Sequence, residues 1–169
     1  MKDSKIKITE IALFGVLAAL TFSAKLVMSG LPNIEPVSLM VMIFAVIFGK
    51  KGLYPLYVYV VMEFLFFGFG LWNINYLYVW PILFVAARLL RNMESPVGWA
   101  ILSGTFGLCF GALCGIVDIF IGGWSYAIAK WVAGLNFDLW HCGGNFVIAL
   151  LLFKPMRKLT DQLYARMRK

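Results

Sequence analysis

Long apolar runs, each close to the length that a helix needs to cross a lipid bilayer, recur along this chain of 169 residues. About 20 apolar residues in helical conformation cover roughly 30 Å of hydrocarbon, where the backbone must satisfy its own hydrogen bonds. The runs lack the alternation of polar and apolar residues that marks membrane barrels. A soluble domain is also excluded, because 62% of the residues are hydrophobic and 14% are charged.

The chain is therefore predicted to be an all-α integral membrane protein, a single domain of residues 1–169 built as a bundle of six transmembrane helices. Residues that favour turns separate the runs: "SGLPNIEP" holds Gly30 and two prolines, "GKKG" is a tight glycine-flanked turn, and "RNMESP" ends at Pro96. The predicted spans are roughly 8–28, 35–49, 53–70, 74–90, 97–120 and 138–155.

One further segment, "GGWSYAIAKWVAGLN" at residues 122–136, is too short and too polar for a crossing. We expect an interfacial helix there, with a loop at each end. Such a segment is placed to serve as a lid over the bundle.

The distribution of basic residues predicts the orientation of the bundle, because cytoplasmic loops collect Lys and Arg. With a cytoplasmic N-terminus, thirteen of the 15 basic residues fall inside, and only Lys25 and Lys130 fall outside. Both termini are therefore expected in the cytoplasm. The net charge of +7 needs no nucleic acid to explain it, since a basic rim beside anionic lipid suffices. The inner residues are Lys2, Lys5, Lys7, Lys50, Lys51, Arg88, Arg91, Lys154, Arg157, Lys158, Arg166, Arg168 and Lys169.

Polar residues collect near the outer end of the predicted bundle, where hydrocarbon makes each of them costly. In "FDLWHCGGNF" the spacing of Asp138, His141 and Asn145 by three and then four residues places them on one helical face. They fall in the first two turns of the sixth predicted span. The polar stripe therefore occupies about the outer third of the membrane.

Three other predicted helices bring polar groups to the same level. Asn73, Tyr76 and Trp80 share one face of the fourth span. The third span runs outward and carries Glu63 towards its outer end, and the fifth ends at Asp118. An ionisable group inside a span is a candidate functional residue, since its burial is costly unless it faces a cavity or a partner. The candidate ligand-binding residues are Glu63, Asn73, Asn75, Tyr76, Trp80, Asp118, Trp124, Lys130, Asp138, His141 and Asn145.

These residues also have structural interpretations. Asp138 can favour the positive end of its own helix, with His141 hydrogen-bonded to it. Glu63 can be satisfied by Tyr59, one turn earlier, and the aromatic residues of the fourth span can form an interfacial belt. Their coincidence at one level favours a binding site, and the apolar inner halves of the spans favour an outward-open cup over a channel or carrier.

A strip of small residues, Ala12, Gly15, Ala19 and Ser23, runs along the first predicted helix. Small residues allow two helices in lipid to approach closely, so we expect the strip to contact a partner helix. Packing inside this bundle is the alternative.

The sequence shows few signs of metal binding, nucleotide binding or catalysis. Cys109, Cys114 and Cys142 lack the spacing of metal ligands and are expected to act as small hydrophobic residues. No GxxxxGK[ST] loop occurs, and Asp138 and His141 have no positioned nucleophile. The sequence therefore favours a binding protein without a metal over an enzyme. A small membrane enzyme using Asp138 and His141, or a structural or assembly protein of the cell envelope, is the alternative.

Taken together, these features resemble the substrate-binding S-components of energy-coupling factor (ECF) vitamin transporters of bacteria. The resemblance covers essentially the whole chain. Its most specific part is "FDLWHCGGNFVIALLLFKP", residues 137–155, which looks like the last helix of many such proteins, and "FGKKGLYP" adds weaker support. The family's usual first-helix motif is Ala-x-x-x-Ala, whereas the matching strip here is Gly15-x-x-x-Ala19.

The resemblance implies a multi-pass protein of the bacterial cytoplasmic membrane that captures a vitamin-like small molecule in an outward pocket. Its partners would be a transmembrane scaffold subunit and two ATPase subunits, which alone use ATP. The protein would topple in the membrane to release its cargo. The vitamin would be a substrate, and no cofactor would be bound permanently.

The expected ligand has flat apolar faces and amide or hydroxyl edges, because the outer half is rich in aromatic and amide side chains. Folate and pantothenate are disfavoured, since their carboxylates need Arg or several Lys. Cobalamin is expected first and riboflavin second, because the glycine pairs at 122–123 and 143–144 can leave room for a bulky ligand. Small pyrimidines and queuosine precursors are further candidates.

Overall fold

The protein is helical along almost all of the chain that the computed structural model describes, residues 6–31 and 34–167. No strand occurs within these ranges, so the all-α prediction is confirmed. By length and composition, three helical stretches are able to cross a membrane: Ile8–Val27, Val37–Phe67 and Pro96–Met167. The count of six spans stays a prediction. The elements are α1 (Ile8–Val27), α2 (Val37–Phe48), a 3₁₀ turn (Gly49–Gly52), α3 (Leu53–Phe67), α4 (Leu71–Leu89) and α5 (Pro96–Met167).

Helix α2 forms the centre of the bundle. Every residue from Val37 to Ala45 is buried, and α2 packs against the other four helices. A helix that is apolar around its whole circumference needs such surroundings. The turn predicted at "GKKG" is present: Gly49 has a positive φ of 58°, and a side chain at Gly52 would collide with the backbone of Phe44. Glycine suits both positions.

Helix α5 is a hairpin with two long arms. Gly123 interrupts the helical dihedral angles with a φ of 77° and a ψ of −178°, a φ that glycine adopts more readily than other residues. The first arm, residues 96–122, and the second arm, residues 124–167, therefore run antiparallel. Near the turn the Lys130 ammonium pairs with the Asp118 carboxylate at 2.6 Å.

Glycines on the first arm let the two arms of α5 approach closely. A Cβ atom on Gly107 would lie 2.7 Å from the backbone carbonyl oxygen of His141. One turn further, the Gly111 amide donates to Asp138 Oδ1 at 3.0 Å, and a Cβ atom on Gly111 would lie 2.5 Å from Oδ2 of the same carboxylate. Helix association in membranes depends on close packing of this kind.

The second arm corrects the prediction of an interfacial helix with loops at 122–136. No loop separates this segment from Asp138, because the helix continues to Met167 and is about 65 Å long at 1.5 Å per residue. Asp138 therefore lies well inside a helix, away from its first turn, and the positive helix end does not stabilise it. The segment is polar by membrane standards, but residues 124–133 include three alanines and neither glycine nor proline, so nothing in them stops the helix from extending beyond the apolar run.

The glycines of the two pairs have different surroundings, and the expectation that they leave room for a bulky ligand stays a prediction. Gly123 makes the hairpin turn. Gly144 packs against the connection between α1 and α2, where a Cβ atom would lie 2.9 Å from Ile34 Cγ1. Gly143 is exposed on the outer side of the arm.

Basic residues gather at one end of the bundle, which we call the basic end. Lys51, in the turn between α2 and α3, binds Glu10 at the start of α1 at 2.7 Å, and the Tyr164 hydroxyl donates to the same carboxylate at 2.8 Å. The Arg88 side chain packs beside Gly49 in that turn. All described bases except Lys25 and Lys130 belong to this end: Lys7, Lys50, Lys51, Arg88, Arg91, Lys154, Arg157, Lys158 and Arg166. Lys2, Lys5, Arg168 and Lys169 lie outside the described residues.

The strip of small residues on α1 faces away from the bundle. Ala12, Gly15 and Ser23 are exposed, Ala19 is half-buried, and a Cβ atom on Gly15 would meet no atom within 4 Å. The alternative of packing inside this bundle therefore does not apply. The buried side of α1 carries Glu10, Phe14, Leu17, Ala18, Thr21 and Phe22.

Gly107→Ala is expected to destabilise the protein, because the new methyl group collides with the backbone of the second arm. We expect a loss of about 1–3 kcal/mol, the usual cost of overpacking, measured as a lower midpoint of thermal unfolding in detergent. Gly143→Ala is the matched control, since it makes the same change in α5 where a Cβ atom meets open space. Equal midpoints for the two variants would contradict the close packing of the arms.

Candidate functional site

A buried ion pair marks the end of the bundle opposite to the basic end, which we call the site end. Lys25, in the last turn of α1, donates to Glu63 Oε2 at 2.7 Å, and the Glu63 side chain is 1% exposed. The same ammonium group donates to the Tyr76 hydroxyl at 3.3 Å. A carboxylate is stable in such apolar surroundings only when it is paired and hydrogen-bonded. These contacts therefore hold α1, α3 and α4 at one level.

A second carboxylate faces the same lysine. Glu35, in the connection between α1 and α2, has its Oε2 atom 3.7 Å from Lys25 Nζ. Burial raises the pKa of the Glu35 carboxyl above its ordinary value; the Lys25 ammonium opposes this shift, and the Glu63 carboxylate adds to it. One cation is thus shared by two carboxylates, and the group carries excess negative charge when both are ionised.

A cleft of about 280 Å³ opens at Lys25 and Glu35. Its walls are the end of α1, the connection to α2, and Phe67 at the end of α3. The Lys25 ammonium lies 5.8 Å from the ring centroid of Phe67 and 5.3 Å from that of Tyr76, within the range of cation–π attraction. Lys25, one partner of the ion pair, is therefore accessible from the surface through a cleft that Glu35 and Phe67 also line.

Aromatic rings connect the ion pair to the interior of the bundle. Tyr76 packs edge-on against Trp80, with ring centroids 5.5 Å apart. Trp80 lies 5.7 Å from Phe110, and Phe110 lies 4.9 Å from the His141 ring. These rings come from α4 and both arms of α5, and such offset contacts stabilise buried aromatic pairs. The predicted residues Tyr76, Trp80 and His141 therefore belong to one continuous series.

Polar residues of the second arm of α5 bind neighbouring helices with part of their hydrogen-bonding capacity. Asn145 Nδ2 donates to the Ser38 hydroxyl of α2 at 2.9 Å and to the Ser103 carbonyl of the first arm at 3.3 Å. Asp138 accepts the amide hydrogen of Gly111 through Oδ1. Both predicted residues are thus structural in part.

Several buried polar atoms near this level have no hydrogen-bond partner in the part of the chain that the structure describes. Burying such an atom without a partner costs about 1–3 kcal/mol, and roughly nine in ten buried polar groups are paired. A group of such atoms offers hydrogen-bonding capacity that a polar ligand can use. The atoms include Asn73 Nδ2, Trp80 Nε1, Ser103 Oγ, His141 Nε2 and Asn145 Oδ1.

The remaining predicted ligand-binding residues are not part of the aromatic series, although Asn73 lies at its level. Lys130 and Asp118 bind each other towards the tip of the α5 hairpin, where Trp124 is 70% exposed. Asn75 accepts a hydrogen bond from the Tyr78 hydroxyl at 3.0 Å. Asn73 accepts the amide hydrogen of Gly70 and so caps the start of α4.

Three residues of the site are missing from the residues that the sequence predicts: Lys25, Glu35 and Phe110. Glu63 takes its cation from Lys25, which lies 38 positions earlier. A lone base at the outer end of the first span and a lone carboxylate at the outer end of the third are a usable signal, because ionisable groups within a membrane pair with one another. Phe110 gives no signal, since it is one apolar residue among many.

Comparison with known proteins does not assign the chain to a family. No family model matches the chain, and neither does any curated protein or solved structure. The function is therefore inferred from the site and from the sequence resemblance.

Proposed function

We propose that the protein is the membrane-embedded substrate-binding subunit of an ECF-type importer, which captures a water-soluble, vitamin-like molecule at the site end. The observation that carries the proposal is the group of buried polar atoms that have no partner among the described residues, next to aromatic rings of α4 and α5. Small-molecule sites typically combine aromatic walls with a few polar groups. A purely structural protein has no use for unpaired polar atoms, which cost stability.

The basic end faces the cytoplasm in this proposal. Lys and Arg accumulate on the cytoplasmic side of membrane proteins, where anionic lipids attract them. The site end and its cleft then open to the outside of a bacterial cytoplasmic membrane. With α1 to α4 and the two arms of α5 as spans, six crossings return both termini to the cytoplasm.

The dimensions of the cleft favour a small ligand over cobalamin. A volume of about 280 Å³ is near the lower limit of small-molecule sites. Riboflavin or a small pyrimidine suits this volume better than cobalamin, and the Gly144 contact with Ile34 narrows the same end of the bundle.

The test of the proposal is the identification of a bound molecule. Protein purified gently from its native membrane is expected to carry one small molecule, which mass spectrometry of the extract identifies. Trp80→Phe is expected to lower the affinity for that molecule about tenfold, because it removes the buried Nε1 donor but keeps an aromatic ring.

Trp99→Phe is the matched control for this test. Trp99 is equally buried, but its Nε1 atom already donates to the Met93 carbonyl at 3.0 Å. Its replacement is expected to affect stability and not ligand affinity. The proposal fails if no molecule co-purifies and neither riboflavin, cobalamin, a pyrimidine nor another small ring compound binds.

The exposed strip on α1 supports docking to the transmembrane scaffold subunit, whose two ATPases would supply energy. Gly15→Leu with Ala19→Leu is expected to abolish uptake in cells and co-purification with the ATPases, since a gap of about 1 Å already loses a quarter to a half of the dispersion attraction. Ligand binding by the isolated protein should be retained, because Gly15 and Ala19 face away from the bundle and precede Lys25 on α1 by ten and six residues.

Ala112→Leu is the control for the docking experiment, as it enlarges an exposed alanine on the first arm of α5. This variant should transport normally. Normal uptake by the double variant would refute docking through the strip.

A further inference from the structure

The charges around the cleft at the site end do not balance. Among the described residues, Glu35 and Glu63 pair with a single cation, Lys25. The other lysine outside the basic end, Lys130, is engaged with Asp118 at 2.6 Å. With both glutamates ionised, the surroundings of the cleft therefore carry excess negative charge.

We propose that the ligand of this site is an organic cation, a small ring compound or amine that Glu35 and the aromatic rings around Lys25 hold in the cleft. This inference rests on the proposed function, because it names the charge of the molecule that the site captures. The ligand cation would pair with the negative charge of the two glutamates that Lys25 alone does not neutralise.

The contacts of Lys25 show that the groups around the cleft bind a positive charge. Its ammonium binds Glu63 at 2.7 Å and lies beside the ring faces of Phe67 and Tyr76. Carboxylates combined with aromatic faces are the surroundings in which proteins bind ammonium groups. Glu35 lines the cleft, its side chain is 15% exposed, and it lies 3.7 Å from the lysine nitrogen. It is therefore the carboxylate that a cation entering from outside can reach.

An anionic ligand is disfavoured by the same geometry. A carboxylate or phosphate in the cleft would meet the Glu35 side chain, while the Lys25 ammonium is already bound to Glu63. Like charges brought together in a partly desolvated site repel strongly. No arginine is among the described residues that line the cleft.

A buried donor close to the lysine also lacks a partner. Trp80 Nε1 makes no hydrogen bond with the described residues, and Trp80 is fully buried against Tyr76, whose hydroxyl accepts from Lys25. A ring with a carbonyl or another acceptor group has the chemistry to match this donor.

Three bicyclic probes of similar size test the sign of the charge: N-methylquinolinium, 2-methylquinoline and quinoline-2-carboxylate, which are a cation, a neutral molecule and an anion. Binding to the purified full-length protein is measured by calorimetric titration at mildly alkaline pH, which favours ionisation of Glu35 against its raised pKa. We expect the cation to bind about tenfold more tightly than the neutral probe, the factor typical of an added charged contact. The anion should show no measurable binding.

Glu35→Gln is expected to remove most of the preference for the cation, because it deletes the charge while keeping the size of the side chain. Glu94→Gln is the matched control: Glu94 is exposed beside the basic residues Lys154 and Arg157, and its replacement changes the net charge equally. This control should keep the preference. The unfolding midpoint of each variant verifies that it is folded.

The outcomes separate this inference from the proposed function. Tighter binding of the neutral or anionic probe, or an unchanged preference in folded Glu35→Gln, overturns the organic cation while a binding function stands. If a neutral or anionic molecule co-purifies with the protein, the inference is likewise overturned. If no probe binds and nothing co-purifies, the proposed function fails, and the inference fails with it.

Discussion

The pairing of Lys25 with Glu63 is the interaction on which the site end depends. The two residues lie 38 positions apart, on α1 and α3, and they meet at 2.7 Å among apolar side chains. The Glu63 carboxylate is not stable there without the lysine, because desolvation of a single charge costs several kcal/mol. The pair therefore sets the level at which α1 meets α3, and Tyr76 extends it to α4. The aromatic series that ends at His141 begins from this point.

Much of the helical framework could be predicted, because apolar runs and turn residues are local signals. The turn at "GKKG" and the break before Pro96 are examples. The second arm of α5 could not be predicted from hydropathy. Residues 124–136 are too polar for a membrane span, yet they favour a helix and continue the arm without a loop. Trp124 and Lys130 consequently lie towards the hairpin tip and apart from the aromatic series.

Within the site, the sequence identified polar residues but not their partners. Glu63, Trp80 and His141 stand out in apolar helices, and helical spacing determines the face on which each lies. Lys25 and Glu35 belong to the site because three segments converge at one end of the bundle. This convergence cannot be read from the spacing of residues within a single segment. The same convergence leaves two carboxylates for one cation, a property that becomes visible only when the contacts are known.

The coupling between Lys25 and Glu63, measured by a double-mutant cycle on unfolding in detergent, tests the central claim most directly. Lys25→Met alone should cost about 3 kcal/mol, because it leaves a buried carboxylate unpaired, and adding Glu63→Gln should restore most of that loss. Lys130→Met leaves Asp118, whose side chain is 9% exposed, without its partner in a pair whose lysine side chain is 55% exposed. Because water reaches this pair more readily than it reaches Glu63, the loss should be smaller, about 1 kcal/mol. Equal losses for the two lysine variants, or purely additive effects of Lys25→Met and Glu63→Gln, would contradict the organising role of this pair.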